Sequence, residues 1–261
     1  MPTHDDLGIR MKGYEYVTRT HLMRRTPAII RVDGKAFHTF TRGFKRPFDS
    51  VLIIAMQKTM RRLCENIQGC VLGYTQSDEI SLVLVDYKTL NTAAWFDYNI
   101  QKCASVAASM ATMAFHQAFE SGIAEYCDTI LPEQKYVDAL MNALSKGAMF
   151  DARVFSIPKE EVCNCIYWRQ LDAVRNSIQM VGQAHFSHNE MLGKSCNQIQ
   201  EMLFSERGIN WNDFPDHQKR GSTCIRMADE AHPDRPRWKI DLHPPMFVGE
   251  GRQYIENLIN F

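Results

Sequence analysis

Two short acidic segments in this 261-residue chain contain residue types that could hold divalent cations. Asp33-Gly34 follows the apolar run PAIIRV, and Ser77-Asp78-Glu79 separates two further apolar runs, so both are predicted at strand ends. A topology that places these turns at one edge of a sheet would let three carboxylates converge. Mg²⁺ prefers oxygen ligands, and Asp33, Asp78 and a backbone carbonyl would suit two ions bridged by substrate phosphates. The alternative is that Asp-Gly and Ser-Asp are ordinary turn residues.

The elements that would position these residues follow a βαββαβ order. Strands are predicted over residues 27–33, 71–75, 80–86 and 149–157, and helices over 51–67 and 92–119. The first helix is amphipathic, with Asp49 or Ser50 as its N-cap. This order predicts an α+β fold of the ferredoxin-like class, an antiparallel sheet with helices on one face.

Beyond residue 158 the chain is predicted to be mainly helical. Helical patterns cover residues 160–183 and 190–204, short strands at 218–227 and 235–242 flank a Pro-rich loop, and a last helix begins at Gly251. The sequence therefore predicts a catalytic domain over residues 1–158. A helical C-terminal extension with short strands, residues 159–261, is expected to pack on it as one structural unit.

The composition excludes several classes of protein. Hydrophobic residues make up 45% and charged residues 23%, which is typical of a folded globular chain and not of a disordered or fibrous one. The sequence lacks the roughly 20 consecutive apolar residues of a membrane helix, so we expect a cytoplasmic protein without membrane contacts. Its 8 cysteines form no CxxC pair, which favours reduced thiols over disulfides or zinc ligands.

Positive charge is concentrated in the N-terminal quarter, although the net charge of the chain is zero. Residues 1–62 contain 13 Lys or Arg and 5 Asp or Glu. Such asymmetry indicates a local anion-binding surface. An ordinary set of solvated charges explains it equally well.

A set of short motifs extends over most of residues 11–177. It comprises RVDGKAFHTFT at 31–41, FxRPxD at 44–49, YxQSDExS at 74–81, Lys102, FDAR at 150–153 and WRQxD at 168–172. Together these motifs resemble the tRNA-His guanylyltransferase superfamily. The resemblance implies a polymerase-like palm that uses two Mg²⁺ ions and adds nucleotides to the 5′ end of RNA in the 3′-to-5′ direction.

The resemblance also implies roles for individual residues. Asp33 and Asp78 would be the metal-bridging carboxylates, the Gly34 carbonyl a further metal ligand, and Glu79 a third catalytic carboxylate that supports the acidic site. ATP or GTP would bind as the activating and the incoming nucleotide. The implied nucleotide contacts are Asp33, Gly34, Lys35, Ala36, Phe37, His38, Arg46, Ser77, Asp78, Lys102 and Arg153.

Two departures from the family pattern bear on the reaction. Guanylyltransferases proper carry His-Ile-Asn-Asn after the WRQxDC stretch, where this chain has Val174-Arg175-Asn176-Ser177, and their Lys-Pro-Asn-Asp element reads Arg46-Pro47-Phe48-Asp49 here. Both departures resemble the guanylyltransferase-like branch of bacteria and archaea, which repairs 5′-truncated tRNA by copying the opposing strand. We therefore expect template-dependent tRNA 5′-end repair, with addition of a single guanosine to tRNA-His as the alternative.

A template-dependent enzyme holds an RNA duplex by shape and phosphate contacts rather than by reading bases. Candidate RNA contacts are Arg19, Arg24, Arg25, Lys58, Arg61, Arg62 and Lys194. Family members are commonly tetramers, so we expect a homotetramer whose interfaces compete for the same residues. Two alternatives of other classes are a nucleotide cyclase and a non-catalytic tRNA-binding module. A non-catalytic module would be expected to have another residue in place of Asp33 or Asp78, and both aspartates are present.

Overall fold

In the computed structural model, which describes residues 6–129, 131–229 and 232–261, six β-strands form one antiparallel sheet. The strands are β1 (Ala28–Gly34), β2 (Cys70–Gln76), β3 (Glu79–Leu84), β4 (Phe150–Ser156), β5 (Ser222–Asp229) and β6 (His232–Asp241). Their order is β4-β1-β3-β2-β5-β6, and each neighbouring pair is antiparallel. The first four strands have the ferredoxin-like order, which confirms the predicted α+β fold.

Ten α-helices surround the sheet in the described part of the chain. They are α1 (Asp6–Val17), α2 (Phe37–Phe40), α3 (Ser50–Asn66), α4 (Ile100–Cys127), α5 (Gln134–Lys146), α6 (Val162–His185), α7 (His188–Met191), α8 (Cys196–Arg207), α9 (Asp216–Arg220) and α10 (Gln253–Ile259). Asp49 caps α3 as predicted, because its side chain accepts a hydrogen bond from the Leu52 N–H at 2.9 Å. None of these described helices is both long enough and apolar enough to cross a membrane.

Alternation along β1 divides its side chains between two hydrophobic cores. Ala28, Ile30 and Val32 are fully buried against the face covered by α3 and α4, where Met56 and Met60 of α3 contact them as part of one cluster. Burial of each aliphatic side chain of this kind contributes about 1.5–3 kcal/mol. This face carries the helices that connect the strands, as the βαββαβ order predicts.

The second face of the sheet is covered by the C-terminal part of the chain. Ile29 of β1 and Val83 of β3 pack with Val162 and Ile166 of α6 and with Ile255 of α10. The extension also adds β5 to the free edge of β2 and β6 to the edge of β5. The helices that connect the strands thus lie on one face of the sheet, as predicted. The other face is covered by helices of the C-terminal extension.

The structure corrects the predicted helix over residues 92–119. Residues Phe96, Asp97 and Tyr98 have left-handed φ values of 48°, 53° and 55°, which interrupt a helix at this point. Asn99 then caps α4, which runs eight residues beyond the predicted end, to Cys127. The amphipathic helix α5, Gln134–Lys146, was not predicted.

The C-terminal strands also differ from their predicted bounds. Residues 218–220, predicted as strand, belong to α9, and β5 begins at Ser222. β5 and β6 together extend over most of the predicted Pro-rich loop, of which residues 230 and 231 lie outside the described residues. Pairing of Cys224 with Ile240 and of Ile225 with Lys239 shows that the two strands form a long hairpin.

Candidate active site

Strand register brings the two predicted acidic segments to one edge of the sheet. Asp33 lies opposite Glu79 of β3 on one side and opposite Asp151 of β4 on the other. The Gly34 N–H donates a hydrogen bond to the Asp78 carbonyl oxygen at 3.1 Å. Asp33, Gly34 and Asp78 therefore lie side by side, and we call this group the acidic edge.

The carboxylates of the acidic edge are only partly compensated by the protein. Burial raises the pKa of the half-buried Asp78 carboxyl. The hydroxyl of Ser77, which donates to Asp78 Oδ1 at 3.0 Å, lowers that pKa, and the charge of Asp33 raises it. Ser77 has a φ of 50°, a left-handed conformation that costs a non-glycine residue conformational energy. The tight turn thus holds Asp78 close to a like charge.

Glu79 has a different environment from Asp33 and Asp78. Its carboxylate accepts hydrogen bonds from Arg169 Nε at 2.6 Å and from Arg169 Nη2 at 2.8 Å, and Arg169 also bonds to Asp172. Burial raises the pKa of Glu79, and the hydrogen bonds from Arg169 oppose the rise. Glu79 lies opposite Asp33 in the β-ladder, as the predicted convergence requires, but its charge is paired with Arg169. A catalytic role for Glu79 stays a prediction. No group of three or more His, Cys, Asp or Glu side chains in the described ranges is placed to hold a metal ion.

The donor atoms of the acidic edge match the chemistry of Mg²⁺. Two carboxylates and a backbone carbonyl supply hard oxygen ligands, and Mg²⁺ completes its coordination with water and substrate phosphate oxygens rather than with an all-protein cage. A divalent cation between Asp33 and Asp78 would also relieve the repulsion of their charges. The residues therefore fit Mg²⁺, whose binding stays a prediction.

A cavity of about 630 Å³ opens beside the acidic edge. This volume is within the usual range for small-molecule sites. Its wall includes seven of the predicted nucleotide contacts, namely Gly34, Ala36, Phe37, His38, Arg46, Ser77 and Asp78. Met180 and Gln183 of α6 line the same cavity, so the C-terminal extension contributes to the site.

The backbone after β1 follows a path that requires small residues. A Cβ atom on Gly34 would lie 2.3 Å from the ring of Phe37, so glycine is needed for this close approach. The Phe37 ring is buried and contacts the rings of Phe115 and Phe150, at centroid distances of 5.7 and 5.3 Å. Ala36 has a left-handed φ of 55° before α2 begins. Phe37 can therefore reach a nucleotide through its backbone, since its ring belongs to the core.

The loop that carries Arg46 is held by a buried carboxylate. Asp49 accepts hydrogen bonds from the Lys45 N–H at 3.0 Å and from the Tyr136 hydroxyl at 2.7 Å, in addition to its bond from Leu52. The Lys45 ammonium lies 4.6 Å from the ring centroids of both Tyr126 and Tyr136. Arg46 is exposed and lines the cavity, as does Arg42 of the same loop.

Three further predicted nucleotide contacts, Lys35, Lys102 and Arg153, do not line the cavity. Arg153 of β4 lies 3.8 Å from the Asp33 carboxylate and 3.8 Å from that of Asp151, and Lys35 is exposed next to the acidic edge. Lys102 lies in the first turn of α4, 13 residues before Phe115, which corresponds to roughly 20 Å along the helix. Arg153 and Lys35 thus lie at the site, whereas Lys102 lies toward the other end of α4, and its contact with a nucleotide stays a prediction.

Several predicted RNA contacts are engaged within the protein. Arg24 pairs with Asp86 at 2.8 Å and with Asp97 at 2.5 Å, and Arg25 donates to the carbonyls of Thr89 and Leu90. The other partners are Glu125 for Lys58, Glu65 for Arg61 and the Tyr16 ring for Arg19. Arg62 and Lys194 are exposed. RNA binding by these residues stays a prediction, and none of the seven lines the cavity.

Sequence reasoning missed the residues that α6 contributes to the site. Arg169 compensates Glu79 beside the acidic edge, and Met180 and Gln183 line the cavity. The WRQ motif contains Arg169, but the sequence pattern alone assigns Arg169 no role in the site. Gln170 does serve packing, since it bonds to the Pro245 carbonyl and accepts from the Phe247 N–H.

The model of the tRNAHis guanylyltransferase family matches residues 8–158, which is more than half of the chain and includes Asp33, Asp78 and Arg153. The chain belongs to the tRNAHis guanylyltransferase family. It is thereby a member of a family of nucleotidyltransferases that act in tRNA processing.

Individual guanylyltransferases and solved structures agree with this assignment. The tRNA(His) guanylyltransferase of Schizosaccharomyces pombe is 28% identical over 253 residues, which cover 91% of this chain and 88% of that protein. A bacterial tRNA(His) guanylyltransferase-like protein solved in complex with ATP is 40% identical, with a TM-score of 0.83 over 98% of this chain and all of that chain. A structure of such a bacterial protein with GTP is 37% identical, with a TM-score of 0.80 over the same share of each chain.

Proposed function

We propose that this guanylyltransferase family member is a template-dependent 3′-to-5′ nucleotidyltransferase that repairs the 5′ end of truncated tRNA. The observation that carries the proposal is the pair Asp33 and Asp78, adjacent at one edge of the sheet beside a cavity that is lined by Asp78, by Gly34, by residues 36–38 and by residues 41–47. Phosphoryl transfer depends on positioning and charge neutralisation rather than on a protein nucleophile. Two carboxylates beside a nucleotide-sized cavity provide that arrangement.

ATP or GTP is the proposed occupant of the cavity. The similar bacterial structures contain ATP and GTP, and the cavity here combines an exposed cation, Arg46, with the backbone of residues 36–38. A left-handed residue followed by a helical turn presents successive N–H groups in a concave arrangement that favours phosphate. The phosphates would lie between this backbone, Arg46 and the acidic edge, with Arg153 and Lys35 as further cations.

Asp33, Asp78 and the Gly34 carbonyl are the residues that would hold Mg²⁺. When bound, such ions neutralise phosphate charge and favour the deprotonated form of an attacking hydroxyl. Arg153 lies 3.8 Å from the Asp33 carboxylate, so its guanidinium could pair with that carboxylate or with a substrate phosphate. The Glu79–Arg169 ion pair keeps a further buried charge compensated beside this group.

The proposed reaction has two steps, activation of the RNA 5′ end and addition of a nucleotide to it. In the first, an oxygen of the RNA 5′-monophosphate attacks the α-phosphorus of ATP or GTP, a P–O bond forms, and pyrophosphate leaves. In the second, the 3′-hydroxyl of an incoming nucleoside triphosphate attacks the activated 5′-phosphorus, loses its proton, and displaces AMP or GMP. A 5′-triphosphate end would skip the first step and release pyrophosphate in the second.

Template dependence is supported by the segment that departs from the guanylyltransferases proper. The Ser177 hydroxyl bonds to the carbonyls of Val174 and Lys219 and accepts from Trp211 Nε1 at 3.2 Å. Arg175 and Asn176 both bond to Asp172. Because Ser177 is buried and Arg175 and Asn176 are paired with Asp172, the segment offers few unpaired groups for reading a base, and nucleotide choice would rest on Watson–Crick pairing. The 40% identity to a bacterial guanylyltransferase-like protein agrees with this reading.

The test is incorporation of labelled nucleotides into 5′-truncated tRNA with Mg²⁺, using acceptor stems whose opposing 3′ strand carries each of the four bases. We expect the incorporated nucleotide to follow the template base, and the activity to disappear in Asp33→Asn and Asp78→Asn. Asp151→Asn is the matched control, because Asp151 also faces Asp33 but lies outside the acidic edge.

Three other outcomes would contradict the proposal in different ways. Guanosine addition whatever the template would indicate a tRNA-His guanylyltransferase. A cyclic nucleotide formed without RNA would indicate a cyclase, and tRNA binding without turnover would indicate a non-catalytic module. The homotetramer, the cytoplasmic location and the division at residue 158 stay predictions from the sequence.

A further inference from the structure

Trp168 of α6 is an exposed aromatic residue in the part of the chain that the structure describes. More than half of its side chain, 55%, is accessible, whereas Trp95 and Trp211 are buried at 7% and 9%. Leu171 is also exposed, and Leu171 and Arg175 follow Trp168 on the same helix stripe at spacings of three and seven residues. The stripe combines an aromatic ring, an aliphatic side chain and a cation.

The indole ring is held in place by two arginines. The guanidinium carbon of Arg169 lies 4.6 Å from the ring centroid and that of Arg31 lies 5.7 Å from it. Arg169 is itself fixed by its bonds to Glu79, and Arg31 Nε is buried without a hydrogen-bond partner among the described residues. The ring is therefore supported by two cations while much of its surface remains open to solvent.

Trp168 lies on the side of the sheet toward which the Asp33 carboxylate projects. Arg31 and Asp33 are two residues apart in β1, so they share a face and are separated by roughly 7 Å along the strand. Arg153 lies opposite Arg31 in the β-ladder and reaches to within 3.8 Å of Asp33. An exposed ring supported by cations thus lies on the Asp33 side of the sheet and contacts the arginine two residues before Asp33 in β1.

We propose that Trp168 is a stacking platform for a nucleobase at the reacting end of the substrate. Aromatic side chains stack on nucleobases without regard to sequence, and neighbouring arginines add cation–π and phosphate contacts. A platform without base preference suits template-dependent addition, so the inference rests on the proposed function. The base could come from the RNA terminus or from the nucleoside triphosphate, and the open position of the ring favours the RNA terminus.

The test is a binding cycle that needs no turnover. Affinity of the whole protein is measured with Mg²⁺ and without nucleotides, for a 5′-monophosphate acceptor-stem hairpin and for the same hairpin with an abasic 5′-terminal nucleotide. Trp168→Leu should weaken binding of the intact hairpin about tenfold, and Trp168→Phe should weaken it little. For the abasic hairpin, wild type and Trp168→Leu should bind alike. Phe204→Leu, at an exposed aromatic of α8, is the matched control.

A second arm measures ATP and GTP affinity of the same variants in the absence of RNA. Loss of nucleotide affinity in Trp168→Leu, with RNA affinity unchanged, would assign the stacked base to the triphosphate. Equal losses for the intact and abasic hairpins would show that Trp168 acts through the fold, and this would overturn the inference. Unchanged affinity for both ligands would overturn it as well. Because the readout is binding, a failure of template-dependent incorporation would be detected separately.

Discussion

Asp78 and Asp86 flank the same strand, β3, and have contrasting environments. Asp86 is fully buried and accepts hydrogen bonds from Arg24 Nε at 2.8 Å and from the Arg25 N–H at 2.9 and 3.0 Å. Asp78 is half-buried, receives a bond from its neighbour Ser77, and lies beside the like charge of Asp33. One end of the strand neutralises its carboxylate, and the other leaves carboxylate charge available for a cation.

Glu79 shows that burial alone does not identify the functional carboxylate. It is more buried than Asp78, at 8% exposure, and its charge is matched by two hydrogen bonds from Arg169. Buried ion pairs of this kind compensate a charge that would otherwise be costly. The useful sign of function in this sheet is thus the incomplete compensation of Asp33 and Asp78.

The largest effect is expected from neutralising the acidic edge. Asp78→Asn or Asp33→Asn should reduce nucleotide incorporation by at least about a thousandfold, which corresponds to about 4 kcal/mol of transition-state stabilisation. Folding should be preserved, because each change removes repulsion and Asp33→Asn weakens only the exposed contact with Arg153 at 3.8 Å. Incorporation assays together with urea unfolding curves test both statements, and wild-type rates in either variant would contradict the comparison.

The second effect concerns the ion pair between Glu79 and Arg169. Arg169→Met would leave the buried Glu79 carboxylate unpaired and should lower the free energy of unfolding by about 3 kcal/mol. The double variant Arg169→Met/Glu79→Gln should recover most of that loss, since no buried charge remains. Chemical denaturation measures both, and a double variant no more stable than the single one would show that the pair does not act by charge compensation.

A smaller effect is expected at the opposite end of β3. Asp86→Asn places an amide where Arg24 and Arg25 donate, and should lower the free energy of unfolding by about 2 kcal/mol. Partial exposure of Arg24 limits the loss through solvent screening. Activity per folded molecule should stay within about twofold of wild type. Thermal unfolding and incorporation assays on the same preparation provide the measurement, and a selective loss of activity would place Asp86 in the catalytic machinery.

The smallest effect is a pH dependence of stability that Asp78 introduces. The pKa of Asp78 is raised in the folded state, so the folded protein holds the proton more tightly than the unfolded chain. The free energy of unfolding is therefore highest while Asp78 is protonated, and it falls as pH rises through the raised pKa. The asparagine of Asp78→Asn does not titrate, so the variant does not lose stability in this way. In metal-free buffer, the stability of the variant relative to wild type should increase from about pH 4 to about pH 7. A difference that shrinks over this interval would have the wrong sign.

The sequence predicted the acidic edge because its determinants are local. Asp33 ends a β-branched run and Asp78 lies in a two-residue hairpin turn, so the order of the strands was enough to bring them together. The N-cap at Asp49 was predictable for the same reason, since its partner Leu52 is three residues away.

Contacts between distant segments could not be predicted in this way. Glu79 and Arg169 are 90 residues apart, and no local pattern in the sequence indicates that they pair. Lys102 was assigned to the site by its motif, but left-handed residues before Asn99 set the start of α4 at the far end of the sheet. Met180 and Gln183 carry no chemical signal in the sequence and reach the cavity through the packing of α6.

The most direct test of the account is single-turnover transfer of the nucleotidyl group from α-labelled ATP or GTP to a 5′-monophosphate tRNA, compared in wild type, Asp78→Asn and Asp86→Asn. The account predicts labelled RNA and pyrophosphate from wild type, an unchanged yield per folded molecule from Asp86→Asn, and no product from Asp78→Asn. Equal yields from the two variants would contradict the claim that the acidic edge is the catalytic centre.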